Sequence, residues 1–244
     1  MVDIHCHILP GVDDGAEDLM DALEMARMAA DSGVHAIAAT PHCNLPGVRR
    51  KNFASQELAE QYHMLREAIR KARIPVELLL GAEVMATPDV VEHLRREELL
   101  TLNGSRYLLT EFFFDESFQY MDRMLERIAA HGLVPVVAHP ERYGAIQEEP
   151  YLVEQWFARG YVIQLNKGSI LGRLGARARM AGHWLLEHGL AHAVASDAHS
   201  PTVRTTHMEQ IRQEILELTG EGYAQILLER NPRRILNDQP PVET

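Results

Sequence analysis

Short apolar stretches alternate along the chain with longer stretches in which apolar residues recur at helical spacing. The short stretches predict strands over residues 2–8, 35–40, 76–80, 107–112, 134–138, 161–165 and 191–195. The longer stretches predict helices over residues 17–32, 53–73, 88–98, 118–130, 150–158, 176–188, 207–218 and 223–229. Seven strand–helix units in this order predict an α/β fold with parallel strands and helices outside them.

Histidine and carboxylate side chains lie at or near the end of most of the predicted strands. These side chains are His5, His7, His42, Glu83, Glu111, His139, Asp197 and His199. In a barrel of parallel strands all the carboxyl ends meet at one mouth, whereas an open sheet spreads them along a crevice. The pattern therefore favours a closed or nearly closed barrel in a single domain. We assign residues 1–237 to this barrel and residues 238–244 to a frayed C-terminal tail.

Composition and charge narrow the classes of function. The 244 residues are 46% hydrophobic and 24% charged, as in an ordinary globular domain with a sizeable core. The formal net charge of −11 and the lack of a basic run argue against a nucleic-acid partner. No apolar run approaches the roughly 18 residues of a membrane span, and the N-terminus does not resemble a signal peptide. Two cysteines make no disulfide framework, so we expect a cytoplasmic protein.

The recurring histidines and carboxylates predict a metal site. His5 and His7 lie two apart in a strand, so both point to the same face, and Asp197 and His199 repeat this spacing. Imidazole combined with carboxylate suits borderline divalent ions such as Zn, Mn or Fe. Clusters of two or three such ions activate a hydroxide and stabilise the attacking and leaving oxygens of a hydrolysis. The sequence therefore predicts a multinuclear hydrolytic site, whose cations invert the acidic local field and admit a phosphate ester.

The opening segment, Met1-Val-Asp-Ile-His-Cys-His-Ile8, resembles the first motif of the polymerase-and-histidinol-phosphatase (PHP) superfamily. Within it, further motifs are similar to those of the bacterial metal-dependent protein-tyrosine phosphatases that act beside the tyrosine kinases of polysaccharide assembly. These motifs are Asp13-Asp14-Gly15, Thr40-Pro-His42, Gly81-Ala-Glu83, Glu111-Phe112, His139-Pro-Glu-Arg-Tyr143 and Ser196-Asp-Ala-His199. The resemblance covers nearly the whole chain, and the His-Pro-Glu-Arg-Tyr block is its more specific part.

The resemblance implies a distorted (β/α)7 TIM-like barrel that holds three divalent metal ions, with Mn favoured over Fe, Zn, Co or Mg. The implied ligands are His5, His7, Asp14, His42, Glu83, Glu111, His139, Asp197 and His199. One sharing gives His5, His7, Glu83 and Asp197 to the first ion, Glu83, Glu111 and His139 to the second, and Asp14, His42 and His199 to the third.

The implied activity is hydrolysis of phosphotyrosine in a protein by metal-activated hydroxide, with a bacterial tyrosine autokinase as the expected partner. Arg142 and Arg204 fall where the family has arginines, and guanidinium pairs with phosphate oxygens in fork geometry. With His42 they are the catalytic candidates. We also expect Phe114 and Tyr143 to stack on the substrate ring, and Asn166 either to line the pocket or to cap the next segment. The oligomeric state is left open.

Other hypotheses use the same residues. His42-Cys43, five residues and Arg49 fit the signature of thiol-based tyrosine phosphatases, in which a low-pKa thiolate attacks phosphorus. This hypothesis leaves the other metal-type residues unexplained. Histidinol-phosphate phosphatase or another small phosphomonoesterase is the main alternative activity; a phosphodiesterase or exonuclease, and a metal-binding scaffold without turnover, are further ones. Cys6 is expected to point away from His5 and His7 into the core.

Overall fold

The computed structural model describes residues 1–49 and 51–242. Over these residues the strands are β1 (Val2–Cys6), β2 (Ala36–Ala39), β3 (His42–Cys43), β4 (Glu77–Leu80), β5 (Glu83–Met85), β6 (Tyr107–Glu111), β7 (Val134–Ala138), β8 (Val162–Asn166) and β9 (Ala193–Ala195). The α-helices are α1 (Leu19–Asp31), α2 (Gln56–Lys71), α3 (Val90–Arg95), α4 (Phe118–Ala129), α5 (Gly144–Glu148), α6 (Val153–Ala158), α7 (Lys167–Ile170), α8 (Ala176–Glu187), α9 (Glu209–Thr219), α10 (Glu221–Gln225) and α11 (Asn231–Leu236). None of the helices in these two ranges has the length and apolar character needed to cross a membrane.

The strands form two parallel sheets, ordered β1-β2-β4 and β3-β5-β6-β7-β8-β9. The chain runs directly from β2 into β3 and from β4 into β5, so each pair is one strand with a short interruption. Backbone hydrogen bonds bridge the interruptions: Gly81 N donates to Ala39 O at 2.9 Å and Glu83 N to Pro41 O at 3.1 Å. The two sheets are therefore joined where β2 continues into β3 and β4 continues into β5.

The remaining edges meet between β1 and the residues that follow β9. His7 N donates to Ala198 O and Asp197 N donates to His5 O, both at 2.9 Å, and Cys6 pairs in parallel with Ala198. These bonds close the ring of parallel strands, so the predicted (β/α)7 barrel is confirmed. Its distortion lies in the two interrupted strands and in a register shift between Asp3 and Cys6.

The strands bury apolar side chains on both faces. Along β7, Val136 and Ala138 point into the barrel and pack with Leu109, whereas Val137 belongs to the layer between strands and helices. Ile235 of α11 joins the interior cluster. Two buried faces explain why the strands appear in the sequence as continuous apolar runs without polar alternation.

Helix boundaries follow local capping. The helix expected to begin at Phe53 begins at Gln56, because the Ser55 hydroxyl accepts a hydrogen bond from Leu58 N at 3.2 Å and so caps the helix. The sequence pattern did not predict α5, α7 or α11. Helices of four to six residues are too short to show a helical repeat.

Residues 238–242, which the sequence analysis assigns to a C-terminal tail, make polar contacts with the rest of the chain. The carboxylate of Asp238 accepts hydrogen bonds from the backbone and guanidinium of Arg106, and Val242 N donates to Asn231 Oδ1 at 2.6 Å. The two residues of each contact are distant in the sequence, so no local sequence pattern predicts the contact. Residues 243 and 244 lie outside the described part of the chain.

The interior cluster is expected to carry much of the stability. Leu109 is fully buried in it, whereas Leu218 is 37% exposed. Replacing Leu109 with alanine should lower the free energy of unfolding by about 2–5 kcal/mol, because the rigid strands cannot close the cavity. Leu218→Ala, the matched control, should change it by less than about 0.5 kcal/mol. Urea denaturation measures both, and equal losses would contradict the assignment of Leu109 to the interior.

Candidate metal centre

The predicted ligands come together at one mouth of the barrel. His5, His42, Glu83 and Glu111 lie on the ends of β1, β3, β5 and β6. His139 directly follows β7, and the rest lie on loops. The ligand atoms form four overlapping groups, each within 4.8 Å: His7, Asp14, His42 and His199; His5, His7 and Glu83; His5, His139 and Asp197; and His42, Glu83 and Glu111. All the predicted ligand positions therefore belong to one connected cluster.

Glu83 lies at the centre of this cluster and is fully buried. Its Oε2 atom is 3.2 Å from His5 Nε2, 3.3 Å from His7 Nε2 and 3.0 Å from His42 Nδ1. Its Oε1 atom is 2.8 Å from His139 Nε2. Several imidazole nitrogens thus face a single carboxylate, so Glu83 and these histidines could together hold a metal ion.

Asp197 occupies a second central position and is also buried. Its Oδ1 atom faces the imidazoles, at 3.4 Å from His5 Nε2 and 3.5 Å from His7 Nε2. Its Oδ2 atom accepts hydrogen bonds from Arg142 Nη1 at 3.2 Å and from Asn166 Nδ2 at 2.5 Å, and contacts the Arg204 guanidinium. One carboxylate therefore joins the histidine cluster to both predicted phosphate-binding arginines.

The outer part of the cluster contains Asp14, whose side chain is 68% exposed. Its Oδ1 atom is 3.5 Å from both His42 Nε2 and His199 Nε2, as the sharing for the third ion requires. The neighbours of Glu111 differ from the assignment of ligands to ions that the family resemblance implies. Its Oε1 atom lies 2.7 Å from His42 Nδ1, while His139 groups with His5 and Asp197.

Two of the predicted metal ligands have unusual backbone conformations. His139 has φ 36° and ψ 54°, and Asp197 has φ 48°. A left-handed conformation is costly for a residue with a side chain, and it tends to persist where the surrounding structure fixes a functional group. In both residues the turn directly after a strand brings the side chain into the mouth.

The buried charges strongly perturb one another. Burial and the charge of Glu83 raise the pKa of Glu111 to about 7. Burial alone would lower the pKa of His42, but Glu83 and Glu111 raise it to about 10. Burial and the positive charges of His7 and Arg204 lower the pKa of His199 to about 3. His199 is therefore neutral at pH 7, the form in which imidazole binds metal.

The donor set fits divalent transition-metal ions. It combines imidazoles with carboxylates, a mixture that Mn, Fe, Co and Zn accept. Within positions 1–49 and 51–242 five buried side-chain N or O atoms have no hydrogen-bond partner, and two of them, Glu83 Oε2 and His139 Nδ1, belong to this cluster. Buried polar atoms without partners are costly, and coordination is one way to satisfy them.

Two residues that the sequence did not single out orient these ligands. Asp13 accepts a hydrogen bond from His7 Nδ1 at 2.7 Å and one from His42 N at 2.8 Å. Gln164 Oε1 accepts from His5 Nδ1 at 2.9 Å. Both bonds leave an Nε2 atom facing the cluster, which is the usual way in which outer residues fix a metal-binding histidine. Asp13 was visible within the Asp13-Asp14-Gly15 motif; Gln164 had no such signal.

The thiol of Cys43 does not have the properties of a nucleophile. Its side chain is fully buried, and burial together with the charge of Glu111 raises its pKa to about 12. Catalytic thiols need the opposite, an exposed and positively charged environment. Arg49 is exposed, whereas Arg142 and Arg204 line the cavity with the cluster. Cys6 is buried in the outer core layer, as predicted.

The aromatic residues near the mouth have different roles. Phe114 is 49% exposed and lines a cavity of 260 Å³ that contains the cluster. The Arg142 guanidinium carbon lies 4.3 Å from the centre of its ring, within the range of a cation–π contact. The expectation for Tyr143 is wrong: it is fully buried, and its hydroxyl donates to Ala138 O at 2.8 Å. Of the two alternatives for Asn166, the structure bears out the cap: its Oδ1 accepts from Gly168 N at the start of α7, and the buried side chain is not among the residues that line the cavity.

A parallel α/β barrel with a histidine and carboxylate cluster at one mouth defines this chain as a TIM-like barrel protein with a candidate metal site. The phosphotriesterase of Mycobacterium tuberculosis shares the fold alone: the TM-score is 0.62 at 12% identity, over 99% of this chain and 95% of that one. The chain belongs to the CpsB/CapC family of capsular polysaccharide synthesis, whose model matches residues 1–237.

One relative and one solved structure show how far the similarity to known proteins extends. The tyrosine-protein phosphatase YwqE of Bacillus subtilis is 36% identical over 98% of this chain and 92% of its own length. A crystal structure from work on YwqE of Bacillus subtilis and CpsB of Streptococcus pneumoniae, described as unique metal-dependent tyrosine phosphatases, superposes with a TM-score of 0.89. Its sequence is 35% identical, and the match covers 100% of this chain and 99% of that one.

The hydrogen bond from His7 to Asp13 yields a prediction about metal affinity. Asp13→Asn keeps the size of the side chain but removes the charge that orients His7. Loss of such an outer contact typically costs about 10–100-fold in metal affinity, and we expect a decrease in that range. Titration with Mn measures it, and circular dichroism checks the fold. Asp31→Asn, an exposed change at the end of α1, should leave the affinity unaltered; a similar decrease in both variants would contradict the role of Asp13.

The environment of Cys43 yields a second prediction. Cys43→Ser should retain phosphatase activity to within about twofold, because a thiol with a pKa of about 12 is not ionised at neutral pH. Treatment with a metal chelator should abolish activity in both the wild-type protein and the variant. Turnover of p-nitrophenyl phosphate measures both effects. A variant without activity that still binds metal would restore the thiol mechanism.

Proposed function

We propose that this protein is a metal-dependent protein-tyrosine phosphatase, a phosphoric monoester hydrolase. The observation that supports it is the single cluster in which buried carboxylates face several imidazole nitrogens at about 3 Å beside two arginines. The nine ligand positions hold three divalent metal ions, with Mn favoured. The ligands are His5, His7, Asp14, His42, Glu83, Glu111, His139, Asp197 and His199.

Cations held by these nine residues would supply hydroxide at neutral pH and would neutralise charge on the phosphoryl oxygens. Arg142 and Arg204 bind the remaining phosphoryl oxygens, and both line the cavity from the loops that follow β7 and β9. Asp197 Oδ2 holds the two guanidiniums in place through direct contacts. Preorganised positive groups of this kind stabilise developing charge without having to move during the reaction.

The rim of the cavity favours an aryl phosphate. Phe114 is exposed beside Arg142, so a phenyl ring entering the mouth can stack on it while its phosphate reaches the cluster. A phenolate leaving group has a pKa of about 10, so little assistance from a general acid is required. The same site serves phosphotyrosine better than phosphoserine, whose short alkyl chain gains nothing from the rim.

The biological setting follows from the family. The family is named for capsular polysaccharide synthesis, and the relatives reported above are named tyrosine phosphatases. We therefore assign to this protein a cytoplasmic role in the synthesis of a capsular or extracellular polysaccharide. Its substrate is a phosphotyrosine protein, in particular a tyrosine autokinase of that process.

The proposal is tested by removing two ligands together. His5→Ala combined with His7→Ala eliminates the imidazoles that face both Glu83 and Asp197. We expect metal content to fall by at least one ion per chain, and kcat on a phosphotyrosine peptide to fall by at least about 10³-fold, the scale on which linked catalytic groups act. Elemental analysis and a phosphate-release assay measure the two. Retained turnover in the double variant would overturn the proposal.

The substrate is tested with the wild-type protein on three phosphomonoesters: a phosphotyrosine peptide, a phosphoserine peptide of the same sequence and histidinol phosphate. The proposal requires the highest kcat/KM on the phosphotyrosine peptide. A preference for histidinol phosphate would replace it with the small-molecule phosphatase. A protein that binds Mn but hydrolyses none of the three would be a metal-binding scaffold.

A further inference from the structure

Lys167 is a buried lysine that the candidate metal centre does not use. It follows Asn166 at the end of β8 and is only 2% exposed. Its Nζ atom donates hydrogen bonds to the main-chain carbonyl oxygens of Thr205 and, at 3.1 Å, of His207. Both carbonyls lie between Arg204 and the start of α9. Lys167 therefore ties the end of a barrel strand to the segment that directly follows Arg204.

The position of the Arg204 side chain depends on this segment. Arg204 has a left-handed backbone with φ 52°, and its carbonyl oxygen accepts from His199 N at 2.9 Å. Its guanidinium contacts Asp197 and lies 3.3 Å from His199 Nε2. Because the conformation around Arg204 is an unfavourable one, contacts on the following residues must help to keep it. The Thr205 carbonyl that Lys167 binds belongs to the adjoining peptide group.

Other contacts tie the same segment to the helix layer. Thr206 Oγ1 donates to Met25 O at 2.6 Å, and Met208 N donates to Ser32 Oγ at 3.0 Å, at the end of α1. Lys167 supplies a tie on the opposite side, to the barrel strands. The segment after Arg204 is thus fixed between α1 and β8.

The buried carboxylate of Asp3 partly balances the charge of Lys167, and the bonds from Lys167 also fix the positions of two main-chain carbonyls. Burial lowers the pKa of Lys167 to about 8, although Asp3 opposes the shift. A buried charge is costly, and an apolar side chain of similar length often fills such a space at equal or better stability. Charge-assisted bonds to two carbonyls instead give direction, since they fix where the acceptors lie.

We propose that Lys167 is a positioning residue for phosphate binding. By holding the carbonyls of Thr205 and His207, it sets the place of the Arg204 guanidinium at the mouth of the barrel. The inference rests on the proposed function, in which Arg204 binds phosphoryl oxygens. Lys167 itself does not contact the substrate.

The test uses the full-length, metal-loaded protein and inorganic phosphate as the probe. Lys167→Met keeps the length of the side chain and removes its donors. We expect the Kd for phosphate, measured by calorimetry, to rise roughly tenfold and kcat/KM on p-nitrophenyl phosphate to fall by a similar factor, since misplacing a positioned group by about 1 Å costs on this scale. Metal content, measured by elemental analysis, should stay unchanged. Lys167→Gln, which keeps one donor, is measured in parallel in case the Met variant does not fold.

A double-variant cycle distinguishes positioning from a general structural effect. If Lys167 acts through Arg204, then Lys167→Met should change the phosphate Kd by less than about twofold when Arg204 is already alanine. Equal losses in the two backgrounds, or an unchanged phosphate Kd in the single variant, would overturn the inference. Asn231→Leu is the matched control. It removes the hydrogen bonds between Asn231 in α11 and Val242, so it should lower the Tm without changing phosphate binding.

Failure of the proposed function gives a different result. In that case Arg204→Ala alone would leave the phosphate Kd unaltered, or the wild-type protein would not hydrolyse phosphotyrosine. The calorimetric comparison of the Lys167 variants does not depend on turnover, so the two outcomes are separate.

Discussion

The burial of mutually compensating charges at one end of the barrel is the constraint on which the rest of the site depends. Glu83 and Asp197 are almost completely buried, and isolated carboxylates in such places would be severely destabilising. Burial alone would raise the pKa of both groups, but His5 and His42 hold the pKa of Glu83 well below its usual range, and His5 and His7 do the same for Asp197. Because each charge is balanced by the others, removal of one member leaves an uncompensated charge in a region that water hardly enters.

The barrel provides this arrangement because it brings distant parts of the chain to one mouth. His5 and His7 lie two positions apart in and directly after β1, so both face the cluster while Cys6 packs in the outer layer. The interruption between β2 and β3 places His42 beside Glu83 of β5, and these two residues are register partners. The interrupted strands that distort the barrel are therefore also the strands that pair His42 with Glu83.

The sequence predicted the barrel and the convergence of the ligand positions, because both depend on periodicity and on the fact that parallel strands end at the same side. It did not predict which atoms meet. Tyr143 resembled a stacking residue by its place after Arg142, yet its hydroxyl binds Ala138 O inside the protein. Gln164 looked like an ordinary strand residue, yet it orients His5. Periodicity shows which face a side chain occupies, whereas these roles depend on hydrogen bonds between residues distant in sequence. The short helix α7 was not predicted for a related reason: its start depends on the Asn166 cap and not on a helical repeat of apolar residues.

Asp197 connects the two functions that a metal-dependent phosphatase must combine. Its Oδ1 atom faces the imidazoles, and its Oδ2 atom holds Arg142 and Arg204. Within the proposed function, the residues around Oδ1 would hold cations, while the guanidiniums on the Oδ2 side share the charge of the same carboxylate. Positive charge added near Oδ1 would weaken the hold on the guanidiniums, because both interactions draw on the same negative group. Binding of cations and binding of phosphate would in this way be linked through a single side chain.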